Sequence, residues 1–88
     1  MHELSIATSI VEIAAEEGAR HAGRISVVYL KLGALAGVAR DALLFSWELA
    51  CRETPLEGAR LEIEDTPGAE LRVTAIEIGD WDGDAAAG

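Results

Sequence analysis

The sequence is poor in the residues that most often announce a chemistry. Its 88 residues hold one cysteine, one phenylalanine, one tyrosine, two tryptophans and two histidines. A single thiol, Cys51, excludes an internal disulfide and any Cys-x-x-Cys metal knuckle. It fits a reducing compartment, where thiols stay unpaired. Basic residues are also scarce, seven against sixteen acidic ones, for a net charge of −9. With no Lys/Arg cluster to offset that field, a phosphate backbone would be repelled, so no nucleic-acid partner is expected. No apolar run approaches the ~20 residues of a membrane span. The chain also lacks the basic, then apolar, opening of a signal peptide. A soluble cytoplasmic protein without membrane association is therefore expected. Catalytic arrangements are missing too. There is no serine–histidine–acid or cysteine–histidine pattern, and the paired carboxylates Glu62/Glu64 and Glu16/Glu17 read as solvated faces. The chain is not expected to be an enzyme.

Half of the residues are hydrophobic, enough for the core of one small domain, built mostly from aliphatics. Residues 4–22 read as a helix, with Ile6, Ile10, Ile13 and Glu17 on one face beside Ala7 and Ala14. Gly23 supplies a stop, and His21 in the last turn reads as solvent-facing. Residues 25–32 form a strand, Val28, Leu30 and Leu32 pointing one way and Tyr29 and Lys31 the other. The Gly33–Gly37 stretch is a turn. It lacks the Lys-Ser/Thr that a nucleotide loop needs. Residues 39–51 read as a second helix, Asp41 in its first turn. Ala42, Phe45 and Leu49 make one stripe and Leu43, Trp47 and Ala50 widen it, which predicts contact with both the sheet and the first helix. Cys51, near the helix end, reads as a small buried hydrophobe, and Thr54-Pro55 stops the run.

Residues 60–65 and 70–78 alternate as strands around the turn-forming 65–69 group, which predicts a hairpin. Apolar positions fall at 71 and 73, then at 76 and 78; that change of parity predicts a β-bulge near Thr74–Ala75. The fold class is thus α+β: a two-layer sandwich of three strands, in the order 25–32, 70–78, 60–65, with both helices on one face. Residues 1–78 make the domain. Residues 79–88, without a period, read as a flexible acidic and alanine-rich tail. Asp80, Asp82 and Asp84 share the alternation of a calcium loop but lack the rest of its spacing.

The opening Met1-His2-Glu3 is the most unusual stretch. An α-amine, two backbone amides and an imidazole lie within three residues. Once deprotonated they form a near-planar nitrogen set, which suits Ni(II) or Cu(II) better than tetrahedral Zn(II). Met1 should be retained, because His2 is not the small residue that processing requires. A frayed surface end is the other reading, and the commoner one for a chain terminus.

Met1-His2-Glu3-Leu4-Ser5-Ile6-Ala7 with Ser9-Ile10-Val11 resembles the start of the HypA/HybF nickel-insertion accessory proteins of hydrogenase and urease maturation. So do the strand and turn from Leu30 to Val38, the helix from Asp41 to Leu49, and Glu57-Gly58-Ala59 leading into Leu61-Glu62-Ile63. The closing Glu70–Val73 and Ile76–Ile78 complete a match over residues 1–78. The resemblance implies a nickel site at the amino-terminal end, with Met1 supplying the amine, His2 an amide and its imidazole, and Glu3 an amide. One departure is large. The family carries a zinc-binding insertion with two Cys-x-x-Cys pairs between the last two strands, and here Pro67-Gly68 joins them directly. No structural zinc is expected.

The resemblance implies a metallochaperone that binds Ni(II) at its N-terminus and delivers it during maturation of a nickel enzyme such as [NiFe]-hydrogenase. Its implied partners are a nickel-loading GTPase and a hydrogenase large-subunit precursor. The alternative is a metal-free adaptor that keeps only the docking surface for those partners. The protein is expected to be a monomer or weak homodimer, since Glu62 and Glu64 discourage edge pairing of 60–65.

Overall fold

The computed structural model describes residues 2–79. The element order is α1 (Glu3–Gly18), β1 (Arg24–Gly33), α2 (Arg40–Cys51), β2 (Arg60–Thr66) and β3 (Leu71–Gly79). All five elements expected from periodicity are present, and both helices pack on one face of a three-stranded mixed sheet. Gly79, expected to open the tail, closes β3 instead. The expected tail from Asp80 onward, with its aspartates, lies outside the described residues.

The strand order corrects the sequence reading. It is β2-β1-β3, with β1 in the centre. β1 pairs parallel to β2, Val28 opposite Leu61 and Leu30 opposite Ile63, and antiparallel to β3. No β2–β3 hairpin forms. The central place expected for 70–78 goes to β1 instead, because β1 is the strand best suited to burial. Ile25, Val27, Val28, Leu30 and Leu32 are all buried, while β2 and β3 expose Glu62, Glu64, Arg72 and Glu77. Charged side chains belong on edges, where they deter further pairing. The 67–70 segment instead crosses the end of β1. Gly33, Ala34 and Leu35 donate backbone hydrogen bonds to the carbonyls of Glu70, Thr66 and Gly68 at 2.7, 2.8 and 2.8 Å. A Cβ on Gly33 would collide with the Gly68 carbonyl, so the crossing requires glycine there.

The bulge falls where parity places it. Tyr29 faces Ala75 and Leu30 faces Val73, leaving Thr74 as the extra residue. Its hydroxyl donates to the Tyr29 carbonyl at 3.4 Å. The bulge turns both Val73 and Ile76 toward the helices, against Leu30 and Val28. A second irregularity, without a parity signal in the sequence, falls at Ser26, whose hydroxyl donates to the Glu77 carbonyl at 3.1 Å.

One core joins the layers: Ala7, Ile10, Val11 and Ala14 of α1, Leu43, Trp47 and Cys51 of α2, and Val28, Leu30 and Leu61 of the sheet, closed by Leu56. Trp47 is anchored by its indole N–H, which donates to the Ala59 carbonyl at 2.9 Å. Both helix stripes need correction. On α1, Val11 is buried and Ile13 is 54% exposed. On α2, the widening positions Leu43 and Trp47 form the core face, and Phe45 and Leu49 of the expected main stripe point outward. α1 also stops four residues early. Arg20 and His21 close tighter turns onto the carbonyls of Glu17 and Gly18, and Gly23, at φ +99°, redirects the chain into β1. His21 therefore lies beyond the helix.

Candidate metal centre at the amino-terminal end

The helix ladder begins at Ile6, whose amide donates to the His2 carbonyl at 3.1 Å. The amides of His2, Glu3, Leu4 and Ser5 precede the first donor of that ladder, as at any helix start. This matters chemically: an amide held in an i→i−4 bond could not give up its proton to a metal, whereas those of His2 and Glu3 lie outside the ladder. His2 is the N-cap, with extended backbone (φ −90°, ψ 94°) and no side-chain capping bond. Its imidazole is exposed. Met1, the expected amine donor, lies outside the described residues.

Glu3 is half-buried and faces inward across the helix starts. Its Oε2 accepts the Ala39 backbone N–H at 3.3 Å. Glu3's own amide, then that of Ala39, hold this carboxyl below the usual glutamate range. Ala39 is the N-cap of α2, so one side chain ties the beginnings of both helices together. The next residue, Arg40, bonds Asp65 Oδ2 at 2.6 Å, fastening α2 to the end of β2. The starts of α1 and α2 and the ends of β1 and β2 are thus gathered at one pole, with His2 on its surface.

Among the described residues no group of three or more His, Cys, Asp or Glu side chains is placed to hold a metal ion. The His2–Glu3 segment places backbone nitrogen outside the ladder beside an exposed imidazole. Its donor chemistry fits a tetragonal nitrogen-ligated ion. His21 sits 3.6 Å from Glu17 on the exposed surface, as the solvent-facing reading expected. Cys51 is buried, and burial pushes its thiol up to about 11; it is a core side chain, not a nucleophile.

Sequence reasoning missed one polar contact on the open face of the sheet. The Tyr29 hydroxyl donates to Glu77 Oε1 at 2.8 Å. That bond, and the nearby Glu77 charge, raise the phenol above its ordinary range. The two residues are 48 apart, and only the register of β1 on β3 brings them together. No helix among the described residues is long and apolar enough to cross a membrane.

A family described as "Hydrogenase/urease nickel incorporation, metallochaperone, hypA" matches residues 1–78. The chain is 64% identical over 69 residues to hydrogenase maturation factor HypA of Roseiflexus sp. (strain RS-1), covering 76% of this chain and 55% of that protein. It is 45% identical over 69 residues to the same factor of Alkalilimnicola ehrlichii, with 77% and 61% covered. The chain thus spans somewhat over half the length of these curated relatives. In fold it is similar to the solution structure of the Ni metallochaperone HypA from Helicobacter pylori. The TM-score is 0.76 at 18% identity, covering 89% of this chain and 97% of that one.

Proposed function

The chain belongs to the HypA hydrogenase/urease nickel-incorporation family, and from that premise we propose that it carries Ni(II) at Met1–Glu3 and passes it to a nickel enzyme during maturation. The observation that carries this reading is the exposed His2 at the start of α1, beside amides outside the helix ladder. The Met1 amine, the His2 and Glu3 amides and the His2 imidazole would enclose the ion in one plane. A carrier must release its cargo, and a surface site is better suited to that than a closed one. The side chain of Glu3, which accepts its own amide and that of Ala39, steadies the segment.

The recipients in this reading are a nickel-loading GTPase and a hydrogenase large-subunit precursor, reached by protein contact in the cytoplasm. The protein works as a carrier and not as a catalyst. A four-thiolate zinc centre is not part of this reading, because it needs four cysteines and the sequence has one.

The test is an equilibrium nickel titration of untagged protein. A single Ni(II) per chain is expected, bound more weakly as pH falls because the donors must lose protons first. His2→Ala, or one residue added before Met1, should abolish binding. Unchanged titration of His2→Ala would overturn the proposal.

A further inference from the structure

The outer face of α2 is apolar and sits in an acidic field. Phe45, the only phenylalanine, is 69% exposed, and its neighbours Leu49 and Leu44 are 40% and 38% exposed. Phe45 and Leu49 are one helical turn apart, with Ala42 one turn before Phe45, which makes a ridge with a small residue at one end. Single exposed apolar side chains are ordinary on a protein surface; a contiguous group on one helix face marks an interaction site.

Charge decides what kind of partner fits. Every ionisable residue of α1 is acidic: Glu3, Glu12, Glu16 and Glu17. The charged residues of α2 are Asp41, Glu48 and Arg40; the guanidinium of Arg40 bonds Asp65 on β2, and at the far end the exposed C-cap Arg52 is followed directly by exposed Glu53. Asp41, four residues before Phe45, and Glu48, three after it, stand on the same side of the helix. A second copy of this chain would bring the same acidic face against itself, and an anionic lipid surface would be repelled as well.

We propose that the Phe45–Leu49 ridge of α2 is the docking surface for a basic amphipathic helix of a partner protein, whose apolar stripe covers the ridge while its Lys or Arg side chains meet Asp41 and Glu48. Helix on helix is the natural geometry, because i,i+4 ridges of one helix seat between those of another. The inference supplies the docking step of the proposed delivery function and rests on that reading for its biological purpose. The binding itself is independent of nickel.

The test uses the full chain, ¹⁵N-labelled, and a synthetic amphipathic peptide with leucines on one face and lysines on the other. Amide shifts should concentrate at residues 41–49. The double variant Phe45→Ser/Leu49→Ser should bind roughly tenfold more weakly, as should Asp41→Lys/Glu48→Lys. Both change solvent-facing positions, so helical circular dichroism should persist. A peptide with glutamates in place of the lysines should not bind. The proposal is overturned if shifts gather elsewhere, if the first variant binds like the parent, if the acidic peptide binds equally, or if Phe45 instead mediates self-association. A nickel titration of the Phe45→Ser/Leu49→Ser variant separates the two claims. It should match the parent, and loss of nickel uptake in the parent would refute the metal site and leave the docking result standing.

Discussion

The Glu3 carboxylate accepts the Ala39 amide at 3.3 Å, and with that bond the first turn of α1 is joined to the cap of α2. The carboxyl lies below the usual glutamate range because it accepts its own amide and that of Ala39. A group with a lowered folded value contributes above its unfolded pKa and loses that contribution as pH falls through the folded one. The Ala39 amide resonance should therefore hold steady through neutral pH and move at acid pH, below the ordinary glutamate range. In Glu3→Ala that titration should vanish and the Ala39 amide should exchange faster. Single-nickel stoichiometry should survive, because the Glu3 donor in the proposed site is backbone.

Gly33→Ala tests the crossing over β1. In a β2–β3 hairpin an alanine at this turn would be tolerated. In the observed fold its Cβ meets the Gly68 carbonyl, and backbone must move. Overpacking of this kind costs about 1–3 kcal/mol, which a lowered urea midpoint with an unchanged m-value would report.

Trp47→Phe tests the indole anchor. Trp47 is 5% exposed and gives its N–H to Ala59. Phenylalanine keeps most of the apolar contact but leaves that carbonyl without the donor, a loss of about 1–3 kcal/mol. Trp47→Ala adds a cavity and should cost about 3–5 kcal/mol. Chemical denaturation followed by circular dichroism measures both.

Cys51 should be chemically silent in the folded protein. Burial disfavours the thiolate and moves the titration to about 11. Alkylation by iodoacetamide at pH 8 should be slow in the native state and fast in denaturant. Because the folded value is raised, the native state should lose stability as pH climbs from the ordinary thiol range toward that value. Rapid native alkylation would show that the end of α2 opens readily.

Much of the architecture was legible because its causes are local. Period-two alternation in 25–32 and the parity change between Val73 and Ile76 each depend on a few adjacent residues. Periodicity could not choose the buried face of α2. Leu43, Leu44, Phe45, Trp47 and Leu49 cover most of its circumference, and a pattern apolar nearly all round has no preferred side. The choice went to the face carrying Trp47, whose indole finds the Ala59 carbonyl there, and left Phe45 outside. The candidate metal segment stood out in the sequence as three adjacent residues rich in nitrogen donors. Its inward anchor did not, since Glu3 and Ala39 are 36 residues apart and neither is unusual alone.

The sequence by itself determined the elements and the bulge at Thr74, because each arises from side chains and backbone within a few residues of one another. Only the tertiary structure decided that β1 lies between β2 and β3, that Phe45 faces solvent, and that Glu3 reaches Ala39. Those outcomes depend on which distant surfaces compete for the same burial, and that competition is settled when the whole chain closes around Val28 and Leu30.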